Sequence, residues 1–190
     1  TTNLQVGPDA GDTISMTAID SRASTLGQTA QTTIESGGAA LDSGDLTLNG
    51  SNVRATASTD DTVSTVNADE SAIALAAAIN DSAEFSGVTA TVNDTTVSGN
   101  AVQGGTLDTA NSLTINDVTI SGFEVAADDG GDMLINAINA QTENTGVVAE
   151  RNADGNVELN ASDGRNIAVE TTGNADQVTG LSTGVTTGTL

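Results

Sequence analysis

The chain has 190 residues, and its 26 Asp and Glu against four Arg and no Lys give a formal net charge of −22, so nucleic acid and anionic membranes are not expected as partners. It has no Cys and no His, which excludes disulfides and thiolate chemistry and removes the commonest general base and transition-metal ligand. Its aromatic residues are only Phe85 and Phe123, and no apolar run approaches the ~18 residues of a membrane helix, so neither stacking platforms nor a membrane span is predicted.

A β-hairpin is the first element that the sequence predicts clearly. Residues alternate in Leu46–Leu48, Asn49 and Gly50 follow, and Val53 resumes the apolar pattern. An Asn-Gly pair is the strongest short hairpin signal, because a type I′ turn needs a positive φ at both central residues. The pattern recurs at residues 113–120, with an Asn-Asp pair at the turn.

A short amphipathic helix follows the first hairpin. Leu75, Ala78 and Ile79 stand at positions i, i+3 and i+4, which places them in one apolar stripe. Asp69 is predicted to be the N-cap, because its side-chain oxygen can accept a hydrogen bond from a free backbone N–H. Gly87 is predicted to end the helix.

The helix pattern occurs twice at a constant offset. Residues 69–90 align with residues 128–149, so Asp128 and Gly146 are predicted to begin and end a second helix. A duplication of this kind indicates a repeated structural module. A strand is predicted after each helix, at Val88–Val92 and Val147–Arg151. The matched positions are Asp69 with Asp128, Leu75 with Leu134, Ala78 with Ala137, Ile79 with Ile138, Asn80 with Asn139, and Gly87 with Gly146.

Further short strands are predicted after the second helix. Residues 152–155 and 162–165 have the composition of turns, and apolar residues alternate at 157–159 and 167–169. Each unit is therefore interpreted as a hairpin, a helix and a meander, with the helix covering one face of a thin sheet. The predicted fold class is α+β, with two tandem β-hairpin–helix–β-meander units, mostly antiparallel strands and one short helix per unit.

Acidic and glycine-rich segments are interpreted as structural. The acidic stretch at residues 128–132 is typical of helix capping and a hydrated surface. Residues 150–161 have the Gly of an EF-hand loop at Gly155, but Ala161 stands where that loop needs a bidentate Glu, so a hairpin turn is predicted. The pair Gly130-Gly131 lacks the Lys of a phosphate-binding loop. The sequence therefore predicts no catalytic residue, no metal site, no cofactor and no small-molecule substrate.

Two segments of the chain resemble bacterial flagellins. Leu134–Val169, with the sequence LINAINAQTENTGVVAERNADGNVELNASDGRNIAV, resembles the IN motif of flagellins and hook-associated proteins, in which Ile138-Asn139 is the Ile-Asn pair. Ile79-Asn80 resembles the same motif more loosely. Asn3–Asp20, with the sequence NLQVGPDAGDTISMTAID, is similar to the flagellin stretch QVGANAGQTI that leaves the inner helices, although Pro8, Asp9 and Asp12 depart from it.

The resemblance implies a domain organisation and a role. Residues 1–28 are expected to connect from an inner flagellin domain, residues 29–105 and 106–180 to form two IN-type outer domains, and residues 181–190 to return toward the inner domain. The chain is then expected to be a non-enzymatic, surface-exposed part of flagellin. Its expected partners are other flagellin subunits in a helical filament, and its expected location is the extracellular flagellum, where it serves motility.

An alternative function of a different class stays open at this point. The chain could be an extracellular adhesin, or a hook-associated or filament-cap module that binds a ligand. Such a module needs an exposed apolar or aromatic patch, for which Phe85 and Phe123 are the candidates. The order of the two resembling segments, with the exit segment before the repeats, favours flagellin.

Overall fold

The computed structural model describes residues 2–5, 13–16, 30–34 and 37–190. The chain forms two compact units, Thr1–Thr32 and Thr33–Leu190. In the first unit, strand β1 (Thr2–Gln5) pairs antiparallel with strand β2 (Thr13–Met16). The rest of the predicted connecting segment 1–28 lies outside the described residues.

The second unit begins with a hairpin and a helix, and we refer to residues 46–98 as the first module. Asn49 and Gly50 join the hairpin strands at φ values of 49° and 85°, which confirms the predicted type I′ turn. The Ala-rich sequence of the following helix favours helix formation and allows close packing. The elements are β3 (Thr47–Leu48), β4 (Ser51–Asn52), 3₁₀ turns at Ser58–Asp60 and Ala68–Glu70, α1 (Ala72–Asp81), α2 (Ala83–Ser86) and β5 (Thr95–Ser98).

A hairpin, a 3₁₀ turn and two consecutive helices recur in the same order in residues 113–161, which we call the second module. Asn116 and Asp117 occupy its hairpin turn, again with positive φ values, of 47° and 66°. The elements from here to the end of the chain, with the preceding strand, are β6 (Gly105–Leu107), β7 (Leu113–Ile115), β8 (Val118–Ile120), β9 (Phe123–Val125), a 3₁₀ turn at Ala127–Asp129, α3 (Met133–Asn139), α4 (Thr142–Thr145), β10 (Val148–Arg151), β11 (Val157–Ala161), β12 (Ile167–Thr171), α5 (Ala175–Thr179) and β13 (Gly184–Thr186).

The strands form small sheets, and every described strand pair is antiparallel. One sheet has the order β10-β11-β5, and a second has the order β13-β12-β7-β8. Strand β5 of the first module therefore pairs with β11 of the second, with Val97 opposite Leu159. Helices and antiparallel strands together confirm the predicted α+β class.

The predicted strand at Val88–Val92 is wrong. The structure has no regular element at residues 87–94, whereas the matched residues of the second module form β10. The physical reason is the presence or absence of a neighbouring strand, because β10 pairs along its length with β11. The corresponding stretch of the first module does not pair along its length with a strand. Its Asn93 N–H donates to the carbonyl of Thr189 at 2.9 Å.

The end of the chain lies against the first module. Strand β13 pairs with β12, and beyond it Leu190 exchanges two backbone hydrogen bonds with Ile34, at 2.9 and 2.8 Å. Leu190 is buried in the core of the first module. The first and last residues of the second unit are therefore close together. Helix α5, which precedes this return, was not predicted.

Two clusters of buried aliphatic residues support the modules. The cluster of the first module is small and Ala-rich, and that of the second module holds longer side chains. Because burial stabilises by about 0.8 kcal/mol per methylene, the second cluster contributes more per residue. The first cluster comprises Val53, Ala72, Leu75, Ala76, Ala78, Ile79 and Leu190. The second includes Leu107, Leu113, Ile115, Leu134, Ile138, Val147, Leu159, Ile167 and Leu181.

Glycines in the left-handed conformation end α2, α4 and α5, and two of them allow a matched test. Gly87 and Gly180 have φ values of 70° and 74°. An added Cβ would meet open space at Gly87 but would overlap the backbone carbonyl of Asn100 at Gly180. We expect Gly87→Ala to lower the free energy of unfolding by about 1–2 kcal/mol through backbone strain alone. Gly180→Ala should cost about 2–5 kcal/mol, because steric overlap is added.

Urea denaturation of both variants checks this expectation. Equal losses in the two variants would show that the carbonyl of Asn100 does not restrict the Gly180 position.

Candidate functional site: asparagine clamps in the two modules

The apolar stripe of each helix faces its own core. Leu75, Ala78 and Ile79 are buried in the first module. Leu134 and Ile138 are fully buried in the second, and Ala137 is half-buried against the same cluster. The apolar member of each Ile-Asn pair therefore anchors the helix to the module beneath it.

The Asn of each pair binds the backbone of the segment that follows the helix. Asn80 Nδ2 donates to the carbonyl of Ala90 at 3.0 Å, and the Ala90 N–H donates back to Asn80 Oδ1 at 2.8 Å. Asn139 makes the same two bonds with Ala149, at 2.9 and 2.7 Å. A side-chain amide offers one donor and one acceptor side by side, as a peptide group does. Each Asn therefore takes the place of a neighbouring strand at that residue, an arrangement that we call the Asn clamp.

The turn of each hairpin makes a second matched contact with the helix end. Asn49 Nδ2 donates to the carbonyl of Ser86 at 2.8 Å, and Asn116 Nδ2 donates to the carbonyl of Thr145 at 2.8 Å. The last carbonyls of a helix have no partner within the helix. The first residue of the type I′ turn thus supplies the missing donor, which fixes the hairpin against the helix.

A hydroxyl and a glycine complete each helix end. The Val88 N–H donates to Ser86 Oγ, and the Val147 N–H donates to Thr145 Oγ1, both at 3.1 Å. Gly87 and Gly146 follow these residues in the left-handed conformation, at φ values of 70° and 71°. The end of α5 has the same form. Gly180 turns the chain there, and the Leu181 N–H that follows it donates to the Oγ1 of Thr179 that precedes it.

The helix N-termini differ from the sequence prediction. Asp69 and Asp128 were expected as N-caps, but each lies within the 3₁₀ turn that precedes its helix, so this prediction is wrong. Ser71 caps α1 by accepting a hydrogen bond from the Ala74 N–H at 3.1 Å. The buried carboxylate of Asp129 accepts hydrogen bonds from the first turn of α3, at 3.0 and 3.2 Å. The 3₁₀ turn shifts the capping oxygen toward the helix.

Arg151 holds the acidic loop before α3. Three residues of this loop, Asp128, Asp129 and Asp132, have positive φ values, which are strained for residues with a side chain. The Arg151 guanidinium donates to the carbonyl of Asp128 at 2.8 Å, to Asp132 Oδ1 at 2.8 Å and to the carbonyl of Gly155 at 3.0 Å. It therefore ties the loop to the turn between β10 and β11.

The other described guanidinium groups are also paired. Arg54 bonds to Asp60 at 2.7 Å and to Asp81, and Arg165 bonds to Asp163 at 2.7 Å. Within residues 37–190 each arginine therefore has a carboxylate partner. The remaining acidic side chains give this surface its negative charge.

A buried amide joins the first module to the chain just before β12. The Asn166 N–H donates to Ser64 Oγ at 2.9 Å, and Asn166 Nδ2 donates to the carbonyls of Val66 and Asn67 at 3.1 and 3.0 Å. Asn166 is fully buried. The sequence offered no signal for this contact, because its partners are about a hundred residues away.

Asp61 anchors the same loop of the first module. Burial by itself would raise the pKa of Asp61, but hydrogen bonding to the carboxylate, which includes bonds from the Ser64 and Val63 N–H groups, outweighs it. The two N–H donors lie 2.9 Å from Oδ1. The pKa of Asp61 is therefore below its ordinary value in the folded state.

The described residues contain neither a metal-binding cluster nor a membrane-spanning helix. In them, no three carboxylates converge in the manner of a metal site. The same residues include no helix that is long and apolar enough to cross a bilayer. What the matched residues do is fold the chain, because the Ile and the Asn of each pair are both engaged internally.

Comparisons with known proteins place these modules among known sequences. A family model described as the flagellin hook IN motif matches residues 112–163, which contain the second module with its Asn clamp. Flagellin A of Helicobacter felis (strain ATCC 49179 / CCUG 28539 / NCTC 12436 / CS1) is 34% identical over 114 residues, or 60% of this chain and 21% of that protein. Flagellin A of Helicobacter mustelae is 33% identical over 109 residues, or 57% of this chain and 22% of that protein. The chain thus spans about a fifth of the length of these curated relatives.

The Asn clamps should contribute unequally to stability. Asn139→Ala leaves both backbone groups of Ala149 without a partner, and Ala149 is only 3% exposed. We expect a loss of about 1–3 kcal/mol in the free energy of unfolding. Asn80→Ala should cost about 0.5–1.5 kcal/mol, because water can reach the bonds of Asn80 with Ala90.

Urea denaturation measures both losses, and amide hydrogen exchange at Ala149 locates the effect. Asn144→Ala is the control, because Asn144 is exposed and its side chain bonds only to the nearby Gln141, so the change should be within about 0.5 kcal/mol. If Asn139→Ala is no more destabilising than Asn144→Ala, the clamp does not stabilise the module.

Stability should fall in acid partly through Asp61. Because its pKa is lowered on folding, its contribution is fully present above the ordinary value of about 3.9 and is lost as the pH falls through the lower folded pKa. Asp61→Asn should therefore be less stable than the natural chain at neutral pH, with a difference that narrows below about pH 4. Urea denaturation across pH 7 to 2 tests this; parallel pH profiles would contradict it.

Proposed function

The chain carries a flagellin IN motif and is related to the flagellins, and we propose on that basis that it forms the surface-exposed outer region of a flagellin. In this role it is a structural component of the bacterial flagellar filament, outside the cell. Its partners are other flagellin subunits in the helical filament. It performs no enzymatic reaction.

The observation that carries the proposal is the internal use of the motif residues. In both modules the Ile is buried and the Asn is bound to backbone ten residues further on. A binding or catalytic motif would direct its polar groups toward a cavity. A motif whose groups are all satisfied within the chain builds a scaffold, which is what a filament subunit requires.

The acidic surface supports the same role. With the described arginines paired, the carboxylate excess of a chain of net charge −22 faces water. Like charge keeps proteins hydrated and apart in solution. On a filament with many exposed copies, this repulsion prevents neighbouring filaments from adhering.

We further propose residues 29–105 and 106–180 as the two IN-type outer domains, with residues 1–28 and 181–190 as their connections.

Site-specific labelling of the filament tests the proposal. The chain has no Cys, so a single Cys can be introduced into the full-length protein at Ser162, which is exposed in a turn. We expect a thiol-reactive gold label on Ser162→Cys to mark intact filaments along their whole length in electron micrographs. The matched control is Ala161→Cys, because Ala161 is the neighbouring residue and is fully buried.

The pattern of labelling separates the alternatives. Gold confined to the filament tip or to the hook would favour a cap or hook-associated module. Gold on the cell envelope with bare filaments would favour an adhesin. Either pattern would overturn the proposal.

A further inference from the structure

Asn49 and Asn116 hold the same place in the two modules, at the first position of the hairpin turn. Each donates from Nδ2 to a carbonyl at the end of its helix, at 2.8 Å. The next residue differs, because Asn49 is followed by Gly50 and Asn116 by Asp117. Asn49 and Gly50 form the one Asn-Gly pair of the sequence. The two turns therefore make the same contact with a different neighbour beside the amide.

The side chain of an Asn can react with the backbone of the residue that follows it. The backbone nitrogen attacks the amide carbon Cγ, a C–N bond forms, and ammonia leaves as the bond from Cγ to Nδ2 breaks. Water then opens the cyclic imide at either carbonyl, which gives Asp or isoaspartate. Gly hinders the attack least, because it has no Cβ. Asn-Gly is therefore the sequence in which this reaction is easiest.

The turn of the first module is accessible to this reaction. Asn49 and Gly50 are both exposed, and no atom lies within 4 Å of the place that a Cβ of Gly50 would occupy. Within residues 37–190, no backbone carbonyl accepts a hydrogen bond from the Gly50 N–H. The attacking nitrogen and water are therefore both available beside the amide.

The bond of Asn49 to the helix end is the restraint that the reaction must overcome. Opening of the hairpin breaks this bond and frees the side chain to turn onto the Gly50 nitrogen. Strands β3 and β4 have two residues each and form a two-stranded sheet of their own. A hairpin without a third strand is marginally stable. Opening in the first module is therefore frequent.

Asn116 is protected by comparison. It is only 2% exposed, and it exchanges two further hydrogen bonds with the backbone of Ala168, at 2.9 and 3.0 Å. Its hairpin belongs to a four-stranded sheet, because β7 pairs with β12 as well as with β8. The side chain of Asp117 also hinders attack by its own backbone nitrogen. Opening here requires the loss of a larger and more deeply buried structure.

We propose that Asn49 is a site of spontaneous deamidation, and that its conversion releases the hairpin of the first module from the helix. The carboxylate of the product has no proton to donate to the carbonyl of Ser86. Isoaspartate also lengthens the main chain by a methylene, at a turn whose length fixes the register of the strands. The reaction consumes only water and loses ammonia to the solvent, so converted chains accumulate with age wherever the chain is located.

Mass spectrometry of the whole chain after prolonged incubation in mildly alkaline buffer tests the site. Cleavage after arginine yields a peptide of residues 23–54, whose Asn residues are Asn49 and Asn52. We expect Asn49 to convert several-fold faster than Asn52, which precedes a β-branched residue, and Asn116 to stay intact. Gly50→Asp copies the turn of the second module and should stop the conversion of Asn49. An Asn49 that persists in the folded chain while the urea-unfolded chain converts it would overturn the proposal.

Asp117→Gly separates the effect of the structure from that of the sequence. It gives the second module an Asn-Gly pair, at a position whose φ of 66° suits Gly. Asn116 should stay intact in this folded variant and convert when the variant is unfolded in urea. Equal rates in the two states would show that hairpin opening does not control the reaction, which would contradict the mechanism.

The release of the hairpin is tested with Asn49→Asp, which is one of the reaction products. We expect its urea midpoint to fall below that of the natural chain, and amide hydrogen exchange at Leu48 and Ser51 to become faster. Asn52→Asp is the matched control, because Asn52 Oδ1 accepts from the Thr47 hydroxyl at 3.1 Å and a carboxylate keeps that role. Equal midpoints and equal exchange in the two variants would show that conversion leaves the hairpin in place.

Discussion

The side-chain amide of Asn80 or Asn139 is the contact on which each module depends. It joins the end of a helix to the backbone ten residues later, which in the first module has no paired strand and in the second module is the edge strand β10 of its sheet. A chain with so few aromatic residues gains little from a deep core, and its first cluster is mostly Ala. The position of the helix relative to the following segment must then be fixed by directional hydrogen bonds. A thin aliphatic layer would allow the two to shift against each other, and a pair of short hydrogen bonds does not.

A second set of polar contacts recurs at the ends of α2 and α4, where the chain changes direction. An Asn in the hairpin turn binds the helix end, a hydroxyl binds the next N–H, and a glycine turns the backbone. These groups use short polar side chains that lose little conformational entropy on ordering. The abundance of Asn, Ser, Thr and Gly, which resembles the composition of a disordered chain, therefore serves an ordered structure. The acidic residues are left to the surface, apart from a few such as Asp61 and Asp129 that bind loops and helix ends.

Much of the second unit could be predicted from local pattern, and the exceptions have identifiable causes. Turn chemistry located the hairpins, because Asn49 and Gly50 adopt positive φ readily. The N-caps were predicted at the wrong residues, because a 3₁₀ turn precedes each helix and places Ser71 and Asp129, and not Asp69 and Asp128, against its first turn. The strand predicted at Val88–Val92 is absent, because strand formation depends on a neighbouring strand, which the local sequence pattern does not specify. The Asn clamp itself was not predicted, although the repeat alignment contained its signal: Asn80 and Ala90 recur together as Asn139 and Ala149.

The paired backbone of Ile34 and Leu190 has a consequence for how such a region changes over time. Because these two residues lie side by side, everything between them is held at two neighbouring points of the backbone. Modules added, lost or exchanged between Ile34 and Leu190 would therefore leave the spacing of these two points unchanged, as in tolerated domain insertions. The second unit is thereby free to vary in size and charge without a change in the distance between its two ends.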